Sequence, residues 1–114
     1  MILISSPYSH SDVTVKIDRV TRLALFIDAE IKKGNLVFSP VLYGLKVLEY
    51  ASGLDDWPTW KPFCENAILA SKEVWVLMFD GWDKSTGVKA EIDFAIANNI
   101  PVKYITMEHG DARV

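Results

Sequence analysis

Cysteine is nearly absent from this chain: Cys64 is the single example among 114 residues. One cysteine forms no intramolecular disulfide and no cysteine-based zinc site, so the sequence implies neither a disulfide framework nor a metal centre. Chains without disulfides are typical of reducing compartments, and we therefore expect a cytoplasmic protein.

Runs of lysine or arginine are also missing, because 12 basic residues are scattered among 15 acidic ones and the net charge is −3. Polymeric nucleic acids are held by the neutralisation of many phosphates, so this composition argues against a nucleic-acid polymer as partner. A single nucleotide is not excluded, since a few backbone N–H groups can hold one phosphate.

No apolar stretch approaches the roughly 20 residues that cross a bilayer. The first five residues, MILIS, lack the basic start of a signal peptide, and we expect no membrane association. Half of the residues are hydrophobic, which for this length predicts one domain, residues 1–114, with a substantial core.

Short apolar runs alternate with helical patterns along the chain. The runs predict strands at residues 2–5, 36–38, 74–79 and 101–106. Helices are predicted between Asp12 and Gly34 and over about 41–50, 59–71 and 86–97, with a connection at 54–58 and a frayed tail from Met107. Such alternation predicts an α/β domain with a parallel sheet.

The first of these helices is indicated by apolar residues that recur at helical spacing. They are Val13, Ile17, Val20, Ala24, Ile27 and Ile31.

The loops that follow the strand ends are the expected place for a ligand, because open parallel sheets bind ligands beyond the carboxyl ends of their strands. The loop at residues 80–87 opens a helix with Ser85 and Gly87, and a helix start attracts anions. An ordinary helix cap with a loop glycine is the alternative explanation for these two residues.

Glu91 lies three residues after Val88 and four before Ala95, on or beside the apolar stripe of that helix. Desolvation there would raise the pKa of the carboxyl group, whereas the helix dipole would lower it. Alternatively, Glu91 borders the stripe and its carboxylate reaches solvent. Glu65, on the preceding helix, is a second candidate acid or else a solvated helix residue.

Aromatic residues in the expected loops could line a pocket for a flat base. Tyr8 follows the first strand, and Trp57 and Trp82 lie in predicted loops. Tyr8 could stack on a base or bind a sugar, or belong to a simple turn. The tryptophans could form a stacking wall, or cover core or a subunit interface.

Together, the segments at residues 5–9, 37–40, 73–77 and 81–92 resemble the nucleoside 2-deoxyribosyltransferase-like superfamily, especially its small phage and bacterial branch. The resemblance covers most of the chain. It implies a flavodoxin-like (Rossmann-like) parallel sheet of four to five strands flanked by helices. It also implies cleavage of the N-glycosidic bond of a nucleoside or nucleotide, by hydrolysis or by transfer of the sugar, in a homo-oligomer that needs no cofactor.

The resemblance further implies a role for individual residues. Glu91 would be the nucleophile that attacks the anomeric carbon, and Glu65 would orient the substrate or protonate the leaving base. Ser85 and Gly87 would bind a 5′-phosphate. Glu65 stands where the family usually has an aspartate, and Leu3 stands where an aromatic residue is common.

Ser5, at the start of the first family segment, joins Tyr8, Trp57 and Trp82 as an expected substrate-binding residue. A non-catalytic nucleotide-binding protein on the same fold, such as a sensor or a sequestering protein, is the alternative. An interaction domain without a ligand is the third hypothesis.

Overall fold

The computed structural model describes residues 1–51 and 56–107. Within these ranges the strands are β1 (Ile2–Ser5), β2 (Val37–Phe38), β3 (Glu73–Met78) and β4 (Val102–Thr106). The helices are α1 (Val13–Lys32), α2 (Pro40–Leu48), α3 (Trp57–Leu69) and α4 (Thr86–Ala97), and a 3₁₀ turn at Trp82–Lys84 precedes α4. The predicted α/β class is confirmed. Part of the predicted connection at 54–58, and the tail beyond Met107, lie outside the described residues.

The strands form one parallel sheet in the order β2-β1-β3-β4. This four-stranded sheet, flanked by helices, is consistent with a flavodoxin-like fold. After β1 the chain runs to β2 at one edge of the sheet, and after β3 it runs to β4 at the other edge. The strand order therefore reverses between the carboxyl ends of β1 and β3, which is where such sheets bind ligands.

Each face of the sheet carries its own hydrophobic cluster, because successive side chains of a strand point to opposite faces. On one face, Ile2 and Ile4 of β1 pack with Leu23 of α1. On the other face, Leu3 packs with residues of α3 and α4, namely Ile68, Val88 and Ala95. Ser5, two positions after Leu3, therefore faces the α3–α4 side of the sheet.

The limits of α1 follow from its capping residues. The Asp12 side chain accepts a hydrogen bond from the backbone N–H of Thr14, and Gly34 takes a φ of +88° just past the helix end. Although α1 has 20 residues, no helix in the described parts of the chain combines the length and the apolarity that crossing a membrane requires.

The face that α1 buries coincides only in part with the apolar stripe that indicated the helix, since Ile27 packs against the core whereas three other members lie mostly in solvent. Val13 and Ile17 are each 61% exposed and Ile31 is 59% exposed. The buried residues are largely charged: Arg19, Arg22, Leu23 and Glu30. Helical periodicity thus located α1, whereas its buried face combines apolar packing by Leu23 with hydrogen bonds from Arg19 and Arg22 to other parts of the chain.

The start of α3 corrects the prediction for the tryptophans. Asp56 caps the helix by accepting a hydrogen bond from the Thr59 N–H, and Pro58 suits the first turn, where an N–H has no helical partner. Trp57 therefore lies in the first turn of α3 rather than in a loop. By contrast, β1 and α4 have their predicted limits, α1 lies between the predicted Asp12 and Gly34, and the remaining elements differ from prediction by a few residues at their ends.

Candidate functional site

The carboxyl group of Glu91 is buried in the second turn of α4, with 8% of the residue exposed. Its Oε1 accepts a hydrogen bond of 2.7 Å from Ser5 Oγ. Burial raises the pKa of Glu91 from 4.5 to about 7, and the Ser5 hydrogen bond opposes that rise. The sequence left open whether this carboxylate reaches solvent, and the structure places it in the interior.

Ser5 reaches Glu91 because of where it stands on β1. It is the last residue of the strand, is 1% exposed, and pairs in register with Val76 of the neighbouring strand β3. Its side chain points to the α3–α4 face of the sheet, where α4 begins. The hydrogen bond therefore joins the carboxyl end of β1 to α4 next to the reversal in strand order.

A cavity of about 290 Å³ lies beside Glu91, between α3 and α4. We call it the Glu91 cavity. The α3 residues that line it recur at intervals of three or four positions, so they lie on one face of that helix. The lining residues are Trp57, Lys61, Cys64, Glu65 and Ile68 of α3 and Ala90, Glu91, Asp93 and Phe94 of α4. The structure therefore brings Glu91, Glu65 and Trp57 to one cavity.

Cys64 is a cavity residue that the sequence analysis considered only for disulfides and metals. It is 2% exposed, and burial raises the pKa of its thiol to about 12, with smaller contributions from the carboxylates of Glu91 and Glu65. The thiol stays protonated at neutral pH and gives the cavity an apolar wall. The sequence could have indicated this position, because Cys64 lies four residues before Ile68 and thus on the same buried face of α3.

The start of α4 lies one to two turns before Glu91. Ser85 is the N-cap, and its Oγ accepts a hydrogen bond of 3.3 Å from the Val88 N–H. A Cβ added at Gly87 would meet no atom within 4 Å. Ser85 thus serves as a helix cap, and the open space beside Gly87 leaves room for a ligand against the first turn of α4.

Tyr8 and Trp82 do not line the Glu91 cavity. Tyr8 lies in the loop after β1, where Lys16 Nζ is 5.6 Å from its ring centroid. Trp82 packs beside the cluster on the α3–α4 face of the sheet, and its ring centroid is 5.6 Å from that of Tyr104. The geometry therefore connects Trp57, and neither of these two aromatics, with Glu91.

A second and larger cavity, of about 750 Å³, lies on the other face of the sheet, against α1. We call it the arginine cavity, because Arg19 and Arg22 line it and both are more than nine-tenths buried. Sequence reasoning missed both residues, although their spacing of three on α1 places them on the helix face that also carries Leu23.

Arg19 connects the loops that follow β1 and β3. Its Nη1 donates to the carbonyl oxygens of Tyr8 at 3.4 Å and Ser9 at 3.0 Å, and its Nη2 donates to the carbonyl oxygen of Asp80 at 2.6 Å. The planar guanidinium presents several donors in a fixed fork, which suits it to bridge two segments. Arg19 therefore holds together the loops on either side of the strand-order reversal.

No cluster of three or more histidine, cysteine, aspartate or glutamate side chains in residues 1–51 and 56–107 is placed to hold a metal ion.

A family model described as "Domain of unknown function (DUF1937)" matches residues 1–107, a span that contains every strand and helix given above. No curated protein matches the chain.

Proposed function

The chain belongs to this family of unknown function, DUF1937, and we propose from its site that it cleaves the N-glycosidic bond of a nucleotide or deoxynucleotide. One observation carries the proposal. The buried carboxyl group of Glu91 is oriented by Ser5 and borders a cavity that also contains a second acid, Glu65, and an aromatic side chain, Trp57. Membership of the nucleoside 2-deoxyribosyltransferase-like superfamily is part of the proposal.

In the proposed reaction, Glu91 is the nucleophile. Ser5 holds Oε1, and the other carboxylate oxygen attacks the anomeric carbon as the bond from that carbon to the base nitrogen breaks. The bonding electrons leave with the base, which takes a proton from the Glu65 carboxyl group. Water, or a second base, then displaces Glu91 from the sugar and regenerates the carboxylate, and the proton that this nucleophile loses returns to the Glu65 carboxylate.

The ionisation of Glu91 supports its role as the nucleophile. A pKa of about 7 leaves a large fraction of Glu91 ionised at neutral pH, and the positive charge that develops on the sugar favours the ionised form further. A carboxylate in a dry, prearranged position stabilises such a charge more strongly than one in water.

The start of α4 is the proposed phosphate site. Ser85 and Glu91 are six residues apart on one helix, which corresponds to about 9 Å along its axis. A nucleotide can thus place its sugar at Glu91 and its 5′-phosphate at Ser85 and Gly87, where helix N–H groups favour an anion. Trp57 offers an aromatic face to the base.

The proposal includes a homo-oligomer. The exposed apolar residues of α1, Val13, Ile17 and Ile31, supply a surface suited to contact with another copy. Sedimentation of the native protein and of Ile17→Lys tests this part. We expect a species larger than a monomer for the native chain and a shift toward the monomer for the variant.

One observation favours the non-catalytic alternative. Because the pKa of Glu91 is raised to about 7, part of the population carries a protonated Glu91 that can bind a ligand by hydrogen bonding without attacking it. In that case the same cavity would recognise a nucleotide and release it unchanged.

Chromatography of released bases separates the two functions. The native protein is incubated with a panel of ribonucleoside and deoxyribonucleoside monophosphates, and the reaction is repeated with Glu91→Gln. Asp93→Asn, which changes an exposed cavity acid on the same helix, is the matched control. We expect base release by the native protein and the control, and none by Glu91→Gln.

Mass spectrometry of the stopped reaction should also find the sugar attached to the peptide that contains Glu91. Binding without turnover, equal in the native protein and Glu91→Gln, would support the non-catalytic function. Neither binding nor turnover would leave the interaction domain as the remaining hypothesis.

A further inference from the structure

The arginine cavity lies at the place where parallel sheets bind ligands, but on the opposite face from Glu91. Phe79 directly follows β3 and Met107 directly follows β4, and both line the cavity, as does His10 of the loop after β1. The cavity is therefore beyond the carboxyl ends of the strands, beside the reversal between β1 and β3. Its volume of about 750 Å³ is within the range of small-molecule sites.

Two buried cationic side chains line this cavity. Arg19 and Arg22 are 8% and 7% exposed. The described residues place no carboxylate within ion-pair distance of Arg19, whose guanidinium donates to three backbone carbonyl oxygens. Asp18 is 3.6 Å from Arg22 Nη1, but its side chain is 48% exposed, and Asp80 is exposed as well. Solvent screens these two acids far more than it screens the arginines.

A buried cation is costly unless an opposite charge or hydrogen bonds compensate it. Carbonyl oxygens satisfy the donors of Arg19 but carry no net charge. An anion in the cavity would supply that charge, and guanidinium groups bind phosphate and carboxylate oxygens in a planar, two-pronged geometry. The remainder of the cavity suits an organic body, since Phe79, Val15 and Met107 contribute apolar surface.

We infer that the arginine cavity is a second binding site, which takes a small organic phosphate and is separate from the site at Glu91. The phosphate lies against the Arg19–Arg22 side of the cavity, and the organic part lies toward Phe79 and Met107. Arg22 is already oriented for this role: its guanidinium carbon is 5.0 Å from the Phe79 ring centroid, and its Nη2 donates to the Met107 carbonyl oxygen.

The test is a titration followed by ¹H–¹⁵N NMR at low ionic strength, because salt weakens such binding. The probes are inorganic phosphate, ribose 5-phosphate and adenosine 5′-monophosphate, with citrate as a carboxylate comparison. At least one organic phosphate should bind saturably and shift the amide signals of Thr14, Arg19 and Gly81. Arg22→Met should weaken that binding by roughly tenfold or more, the value of a hydrogen bond to a charged group.

Matched variants separate this site from the one at Glu91. Lys32→Met removes an exposed cation from the same helix and should leave the affinity unchanged. Gly87→Asp places a carboxylate in the open space at the start of α4, and should prevent phosphate binding there without affecting the arginine cavity. If the native protein releases no base but still shows the shifts at Thr14 and Gly81, only the proposed function is contradicted.

Asp18→Asn keeps the inference testable if Arg22→Met does not fold, because removing the nearby acid should strengthen phosphate binding. The inference is wrong if no organic phosphate shifts these amides saturably, if citrate alone does so, or if only amides at the start of α4 respond. It is equally wrong if a folded Arg22→Met binds as tightly as the native protein.

Discussion

Ser5 Oγ donates a 2.7 Å hydrogen bond to Glu91 Oε1, which links the last residue of β1 to the second turn of α4 across 86 positions of sequence. The contact has two effects on the same carboxyl group. It fixes one oxygen in position, and it favours the ionised form against a surrounding that disfavours it. Replacement of Ser5 therefore distinguishes the effects of the hydrogen bond on the Glu91 carboxyl group from the effect of its burial.

Ser5→Ala should raise the pKa of Glu91 above its native value of about 7, because the opposing hydrogen bond is lost. The titration of the Glu91 carboxyl carbon, followed by ¹³C NMR, measures this directly. If base release occurs as proposed, the acid limb of its pH profile should move upward by a similar amount. Ser6→Ala, at a neighbouring buried hydroxyl, is the control, and an equal shift in both variants would contradict a specific role for Ser5.

Glu91 should make the protein less stable as the pH rises. Its folded-state pKa of about 7 exceeds its ordinary value of 4.5, so the folded state binds more protons between these two values. The free energy of unfolding therefore falls from about pH 4.5 to about pH 7 and stays lowered above that range, by up to about 3 kcal/mol. Urea unfolding at several pH values measures the slope.

Glu91→Gln should remove most of that slope and should be more stable than the native protein above pH 7. Asp28→Asn changes an exposed acid that pairs with Lys32, and should keep the native slope. A native slope that persists in Glu91→Gln would show that another group causes it.

Arg19→Met should destabilise the fold by about 2 to 4 kcal/mol, because three carbonyl oxygens lose a charged donor. Arg19→Lys should recover little, since one ammonium group cannot reproduce the fork that spans both loops. Urea unfolding measures the cost, with Lys32→Met as an exposed comparison. Near-native stability of Arg19→Met would contradict this role.

Two glycines in helices should respond in opposite directions to alanine. A Cβ at Gly44 of α2 would lie 3.0 Å from the ring of Trp60, and that ring is stacked on Phe63 with centroids 4.5 Å apart. Because the ring has little freedom to move, Gly44→Ala should cost about 1 kcal/mol or more despite its better helix propensity.

Gly87→Ala meets no atom within 4 Å and should be neutral or stabilise the protein by roughly 0.5 kcal/mol. Chemical denaturation of both variants compares them under the same conditions. Equal effects of the two substitutions would show that the contact with Trp60 does not limit the packing of α2.

Cys64 should react very slowly with iodoacetamide in the native state, because its thiol is 2% exposed and its pKa is raised to about 12. Labelling should become fast in urea, over the same range in which the protein unfolds. Rapid native labelling would show that the wall of the Glu91 cavity opens without global unfolding.

The sequence predicted the helix that carries the site more closely than it predicted the contacts of that helix. The limits of α4 follow from local signals: Ser85 caps its start, and Asn99 adopts a φ of 60° just past its end. The approach of Ser5 to Glu91 depends instead on the order of the strands, which local patterns do not encode. Alternation along β1 shows which residues share a face, but not which helix covers that face.

The charged face of α1 shows the same limitation more sharply. Hydrophobic spacing gives no reason to bury Arg19 or Arg22. Their partners include carbonyl oxygens at Ser9, Asp80 and Met107, which lie in loops or beyond a strand end. Only the tertiary structure supplies those acceptors, so the arginine cavity could not be predicted from helical periodicity.

Arg19 also determines at which stage the loops around the strand-order reversal lose their conformational freedom. Because its guanidinium bonds to backbone carbonyls of both loops within the fold itself, the backbone entropy of these loops is lost during folding and not when a ligand arrives. A ligand at either face of the sheet therefore meets loops that are already ordered, and its affinity is not reduced by the cost of arranging them.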